Sequence, residues 1–392
     1  MIMKTAIYTL TSELHDERAV ESVTRDFLGS LGVEYIFRGS DYADYGSHPL
    51  SLIYVRTGGT EGIFQRLLPM LMEKSRQPFY LLTSGKSNSL AASMEILSYL
   101  RQEGIQGEIL HGSRAYINQR ILVLTRVEEA RLQLNNCRLG VIGKPSDWLI
   151  SSNADYGIVR ERLGIELVDI PMQELLDATD DCTIYGGLKK IISTHQLSGF
   201  TLRCFDLLTA MKSTGCLALA KLNSEGYVAG CEGDVPAMLS MMIARSLTGF
   251  SGFQANPARI NPDTGELLFA HCTIPLNMVE RYELDTHFES GIGVGVRGYM
   301  KEGPVTLFKV SGDLKRSFVA EGTLVRNTAE PDLCRTQQVI QLSDPIQASY
   351  FLTNPIGNHH IVIPGHIGSL LKEVLCIQAI SFRGRSAVVR RS

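Results

Sequence analysis

Long apolar runs, paired cysteines and an excess of charge of one sign are all missing from this 392-residue sequence. No stretch approaches the ~18 apolar residues that span a bilayer, and the apolar residues 1–10 are soon followed by Glu13 and Asp16, which predicts a first strand rather than a signal peptide. None of the eight cysteines shows CxxC spacing, which argues against a zinc site or a disulfide framework and favours a reducing cytoplasm. A net charge of −3 gives no reason to expect nucleic acid or a membrane as partner.

What is present is an alternation of short β-rich runs, small-residue loops and helical segments over the first 250 residues, which is typical of parallel α/β sheets. A charged helix around Val127–Asn136 is expected to connect two such units. After Gly249, prolines, glycines and period-two alternation indicate a β-rich barrel or sandwich. We therefore predict two doubly wound, Rossmann-like domains at 1–135 and 136–250, followed by a β-rich, barrel-like domain at 251–392.

The most informative stretch places two acids, Glu232 and Asp234, between a short apolar run and a smooth helical segment. Asp234 fits the helix N-cap and Pro236 the first helical position. Acids before a helix are more often caps than catalysts, and Asp234 is predicted to be one. Glu232 has no capping role left, so it is expected at the carboxyl end of a sheet, where open α/β sheets bind ligands.

Two further loops carry weaker signals. Ser84-Gly85-Lys86-Ser87 resembles part of a phosphate loop, but the first glycine at the required spacing is missing, so a polyol-binding loop or a plain turn is favoured. The sole tryptophan, Trp148, lies in a polar loop, where it could stack on a sugar or, more commonly, pack locally. Trp148 is therefore a candidate substrate contact.

Histidines mark the C-terminal part. His271 ends an apolar run, and His359-His360 precedes another. Neighbouring side chains on a strand face opposite ways, so only one of the pair can point into a given site. Buried histidines are usually hydrogen-bonded structural groups, and spacing alone favours that interpretation over metal binding.

Several motifs occur together and in order: Cys-Glu-Gly-Asp-Val-Pro-Ala at 231–237, Phe-Ala-His-Cys at 269–272, Asp-Thr-His-Phe-Glu-Ser-Gly at 285–291, Gly-Pro-Val-Thr-Leu-Phe at 303–308 and Gly-Asn-His-His at 357–360. Together they resemble the L-fucose/L-arabinose isomerase family, and in particular its shorter fucose-isomerase-like branch. The resemblance implies two α/β domains with a β-rich domain, a homo-oligomer of three or six chains, and aldose–ketose isomerisation with a divalent ion, usually manganese.

The resemblance also implies roles for individual residues. Glu232 matches the carboxylate that binds the metal and shuttles a proton, and His360 matches the metal-binding histidine, with His359 facing away toward substrate. His271 matches a second site histidine, which is a metal ligand in the arabinose enzymes and less clearly so in the fucose enzymes, and we assign it to substrate binding. Where the family has a second acid this chain has Asn256, which can offer a carbonyl oxygen to a metal but cannot accept a proton at neutral pH.

Two functions from different classes follow. The first is a cytoplasmic, metal-dependent aldose–ketose isomerase with an altered site, acting on a free deoxyhexose or pentose. The second is a sugar-binding protein that keeps the pocket and has lost catalysis. A sugar-phosphate enzyme is a weaker third interpretation, suggested by residues 84–87 alone.

Overall fold

The computed structural model describes residues 5–179 and 183–376, so the end of the predicted C-terminal domain, 377–392, lies outside the described residues. Contacts divide the chain into two compact units. One contains the described residues up to 132 and those from 373 onward, and the other contains 133–372. The division into three domains stays a prediction. Among the described helices, none combines the length and apolar character needed to cross a membrane.

The first part of the chain forms one parallel sheet with the strand order β2-β1-β3-β4-β5. β1 and β3 are buried along their whole length, as expected where helices cover both faces of a parallel sheet. The elements are β1 (Thr5–Leu10), α1 (Glu17–Leu28), β2 (Tyr35–Gly39), β3 (Ser51–Val55), α2 (Glu61–Lys74), β4 (Phe79–Leu82), α3 (Ser89–Gln102), β5 (Gly107–Leu110) and α4 (Arg114–Leu134).

A second parallel sheet follows, with the order β7-β6-β8-β9. Ile142, Phe200 and Leu202 belong to the apolar core that joins this sheet to its helices. The elements are β6 (Arg138–Ile142), α5 (Tyr156–Leu163), β7 (Glu166–Ile170), α6 (Met172–Thr179), α7 (Ile184–His195), β8 (Gly199–Leu202), α8 (Cys204–Met211), α9 (Cys216–Ser224), β9 (Val228–Cys231) and α10 (Val235–Thr248).

The same unit continues into a closed antiparallel barrel with the order β10-β11-β16-β15-β14-β17, and β12 and β13 form a separate ribbon. The barrel encloses a core that includes Phe253, Phe269, Leu307 and Val362. Its elements and those of the ribbon are β10 (Phe253–Ile260), β11 (Glu266–His271), β12 (Arg281–Thr286), β13 (Val294–Tyr299), β14 (Gly303–Val310), β15 (Ser317–Asn327), β16 (Thr336–Leu342), α11 (Tyr350–Thr353) and β17 (His360–Pro364); residues 368–376 are helical.

The predicted mixed α/β architecture with parallel sheets is confirmed. Of the two β-rich alternatives, the structure has the barrel and not the sandwich. The doubly wound, Rossmann-like assignment stays a prediction. For the candidate site the important feature is α10, which follows β9 and contacts both that strand and β14 of the barrel. The residues between β9 and α10 therefore lie where the second sheet meets the barrel.

Candidate metal centre

Glu232 lies directly after the last residue of β9, at the carboxyl end of the second sheet. Its backbone adopts a left-handed conformation with φ 61°, which is uncommon for a residue other than glycine and is found preferentially at functional sites. Asp234 is the N-cap of α10 and accepts a 2.7 Å hydrogen bond from the Ala237 amide, as predicted. The helix begins at Val235, so Pro236 is its second residue rather than its first.

The loop after β6 holds the backbone around Glu232. Ser146, in the loop after β6, donates a hydrogen bond from Oγ to the Glu232 carbonyl. A Cβ at Gly233, whose φ is 64°, would lie 3.0 Å from both the Lys144 carbonyl oxygen and Ser146 Oγ, so glycine allows this loop to approach closely. The backbone of Glu232 is therefore fixed by neighbours that lie far from it in sequence.

Glu232, His271 and His359 form a compact triad whose ligand atoms all lie within 4.8 Å of one another. Glu232 Oε1 is 3.4 Å from His271 Nε2 and 3.6 Å from His359 Nε2. The two histidines are buried, whereas the Glu232 side chain keeps 14% of its exposure. One carboxylate and two imidazoles make a donor set that suits a divalent transition-metal ion.

Several buried atoms of the triad lack hydrogen-bond partners among the described residues. They are both ring nitrogens of His271 and Nε2 of His359. Buried polar groups in proteins are nearly always hydrogen-bonded, so such a group of exceptions needs an explanation. A bound ion at the triad would satisfy the two Nε2 atoms, and the residues present therefore fit a metal.

The electrostatics of the triad also favour a cation. Burial acts to raise the pKa of Glu232, but His359 and His271 outweigh it and hold that pKa well below its ordinary value. Burial acts to lower the pKa of His359, but the Glu232 and Asp234 carboxylates raise it to about 9. A positive charge between these carboxylates is thus stabilised, whether a proton or a metal ion supplies it.

A second layer of buried charges positions His359. Its Nδ1 lies 2.9 Å from Asp234 Oδ2, so the other nitrogen, Nε2, is the one that faces Glu232. Asp234 in turn accepts hydrogen bonds of 3.3 and 3.2 Å from Lys309 Nζ, and all three side chains are almost fully buried. A carboxylate behind a histidine fixes the ring orientation and tautomer at metal sites.

The expected direction of the two neighbouring histidines is the reverse of the observed one. His360 is the first residue of β17, is in register with Ala255 and points into the barrel core. Its Nε2 lies 3.0 Å from the Tyr350 hydroxyl and its ring 4.9 Å from that of Phe351. Burial lowers the pKa of His360 to about 3, which is typical of a neutral core histidine. His359, one residue earlier, takes the place beside Glu232.

Asn256 lies on β10 opposite Ala270, the residue that precedes His271 on β11. Its Oδ1 is buried without a hydrogen-bond partner among the described residues, and its role as a ligand stays a prediction. Glu266 is an acid close to Asn256 in sequence, but it is at the opposite end of β11 from His271 and pairs with Arg326 at 3.2 Å.

Trp148 is 42% exposed and packs locally, with the Phe205 ring 5.4 Å away and the Arg203 guanidinium 5.0 Å from its own ring. Its contact with a sugar stays a prediction. The loop that carries it is nevertheless the loop whose Ser146 holds the Glu232 carbonyl.

Sequence reasoning missed Lys309 and Glu289. Lys309 follows the apolar run at 305–308, and nothing in the neighbouring residues indicates that this lysine is buried. Glu289 belongs to the quoted motif at 285–291; it is exposed by its surface area, and partial desolvation and the charge of Glu232 raise its pKa. The motif was the available signal for Glu289, whereas nothing in the sequence could identify Lys309.

No protein-family model matches the chain. The chain is similar to the sulfoquinovose isomerase of Alkalicoccus urumqiensis, at 23% identity over 313 residues that cover 68% of this chain and 70% of that relative. It is also similar to the sulfoquinovose isomerases of Priestia aryabhattai and Priestia megaterium, at 23% identity over 231 residues that cover 50% of this chain and 52% of each relative. The chain therefore spans about half the length of these two relatives.

The chain is similar to sugar isomerases. The relatives are named for sulfoquinovose rather than for fucose or arabinose, so the predicted kind of enzyme is supported and the narrower family assignment stays a prediction.

Proposed function

We propose that this chain is a metal-dependent aldose–ketose isomerase that acts on a free sugar. Sulfoquinovose is the first substrate to test, followed by deoxyhexoses and pentoses. The observation that carries the proposal is the buried triad of Glu232, His271 and His359, whose inward imidazole nitrogens lack partners among the described residues. The similarity to sugar isomerases supports the same reaction.

The chemistry requires a proton to move between adjacent carbons of the sugar. A divalent ion held by Glu232, His271 and His359 would polarise the sugar oxygens and stabilise the enediolate charge. The Glu232 side chain keeps 14% of its exposure, so its second carboxylate oxygen is accessible to accept the proton and return it. General acid–base help of this kind is worth roughly 10²–10⁴ in rate. Asp234 and Lys309 keep His359 in position.

Asn256 supports a second candidate function, a sugar-binding protein without turnover. If Asn256 takes the place of the family's second acid, the site has one proton acceptor fewer and one negative charge fewer. Such a protein would bind a divalent ion and a sugar and would not interconvert aldose and ketose.

One experiment separates the two. The purified protein is analysed for bound metal, loaded with Mn²⁺ and incubated with the sugar panel, and ketose formation is followed by NMR. Glu232→Gln is the test variant, and Glu266→Gln is a matched control because Glu266 lies at the far end of β11 in a surface ion pair.

The isomerase predicts turnover in the wild type and in Glu266→Gln, and loss of turnover in Glu232→Gln. Sugar binding by calorimetry without ketose formation would favour the second function. Turnover unaffected by Glu232→Gln would refute the proposed site. The homo-oligomer of three or six chains implied by the resemblance is checked on the same preparation by light scattering.

A further inference from the structure

Two cysteines meet immediately beside the candidate centre. Cys231 is the last residue of β9, and Cys204 is the first residue of α8, two residues after Leu202, which is in register with Cys231. Their sulfur atoms are 3.3 Å apart. Cys231 is buried, whereas Cys204 is half-buried and is the sulfur that a small oxidant reaches first.

The geometry needs little change to form a covalent bond. A disulfide requires sulfurs about 2.05 Å apart, so the two atoms must approach by roughly 1.3 Å. The backbone of Cys231 cannot easily move, because Gln254 accepts a 2.9 Å hydrogen bond from its amide and donates a 3.1 Å hydrogen bond to its carbonyl. Any backbone adjustment therefore falls on Cys204 and the start of α8.

We propose that Cys204 and Cys231 are a reversible redox pair that forms a disulfide in the presence of a peroxide and thereby shifts the start of α8. Cys204 Sγ attacks one peroxide oxygen, which gives a sulfenic acid and releases water from the other oxygen. Cys231 Sγ then attacks the sulfenic sulfur, the S–S bond forms, and the hydroxyl leaves as a second water with the Cys231 proton. The two thiols lose two electrons and peroxide gains them.

The shift reaches the loop beside Glu232 through the two neighbours of Cys204. The Arg203 guanidinium donates a 3.2 Å hydrogen bond to the Pro145 carbonyl and lies over the Trp148 ring, and the Phe205 ring meets that same tryptophan edge-on. Because Trp148 is the only tryptophan of the chain, its emission reports the movement directly.

The test oxidises the native, full-length protein with hydrogen peroxide and maps the disulfide-linked peptides by mass spectrometry. The variants below are made in a Cys376→Ser background, which is also oxidised beside the native protein, because Cys376 is exposed and would link separate molecules. Cys204→Ser and Cys231→Ser are the test variants. Cys137→Ser is the control, because the Cys137 thiol donates to the Gln133 carbonyl, away from the pair. Trp148 emission is recorded before oxidation, after it and after reduction with dithiothreitol.

We expect a Cys204–Cys231 peptide and a change in emission that dithiothreitol reverses, both present in Cys137→Ser and both absent in Cys204→Ser. If the buried Cys231→Ser variant does not fold, Cys204→Ser alone tests whether the disulfide forms. Absence of the linked peptide from the oxidised native protein would overturn the proposal, and a linked peptide with unchanged emission would overturn the movement of α8. Neither measurement needs metal or sugar, so the result is independent of the proposed isomerase activity.

Discussion

Replacing Asp234 by asparagine tests the buried layer behind His359. Asparagine is as good an N-cap as aspartate, so the hydrogen bond to the Ala237 amide is retained and α10 keeps its start. What is lost is the charge that neutralises Lys309, whose side chain is 1% exposed. Removing one partner of a buried ion pair costs about 3–5 kcal/mol, which is more than the ~0.5–2 kcal/mol of a lost cap.

A double variant separates the charge from the packing. In Asp234→Asn with Lys309→Met the uncompensated charge is gone and the lysine stem is replaced by an apolar chain of similar length. We expect this protein to be more stable than Asp234→Asn alone. Urea unfolding followed by Trp148 emission suits the measurement, because Trp148 belongs to the same compact unit as both residues.

The pH dependence provides a further check. Burial already lowers the pKa of Lys309, and the Asp234 charge partly opposes this, so losing that charge lowers the pKa further. A lysine with a lowered pKa in the folded state binds fewer protons there than in the unfolded chain, so stability rises with pH. The difference in unfolding free energy between wild type and Asp234→Asn should therefore become smaller between neutral pH and pH 10.5, the ordinary pKa of a lysine. If Asp234→Asn lowers the unfolding free energy by less than about 1 kcal/mol, the reasoning is refuted. It is also refuted if the losses of Asp234→Asn and Lys309→Met simply add in the double variant.

Three other predictions concern the triad and its surroundings. His359→Ala should weaken Mn²⁺ binding far more than His360→Ala, which should mainly lower the melting temperature by opening a cavity in the barrel; equal losses of affinity in calorimetry would contradict this assignment. Asn256→Asp adds a negative charge at nearly constant volume, so it should tighten Mn²⁺ binding and raise turnover, and unchanged affinity would remove Asn256 from the site. In the metal-free protein the raised pKa of His359 contributes stability that is fully present below 6.5 and is lost as the pH rises through about 9; a slope in urea unfolding over this window should be present in wild type and absent in His359→Gln.

Features governed by local signals could be predicted from the sequence. The strand, the two acids and the helix around Glu232 follow one another within a few residues, and capping chemistry separates the roles of Glu232 and Asp234 without knowledge of the rest of the chain. The alternation after Gly249 similarly predicts strands. The alternation alone does not separate a barrel from a sandwich, because closure depends on which strands pair.

The choice between His359 and His360 depended on tertiary structure. The sequence shows that only one of the two can face the site, but which one does is set by the register of β17 against β10 and by the aromatic core that receives His360. The contacts of Asp234 could not be predicted from local sequence for the same reason. Lys309 is 75 residues away from Asp234 in the chain, and His359 is 125 residues away. Local sequence determines which groups are available, whereas barrel closure brings the strands that carry them together and so decides which charges become neighbours.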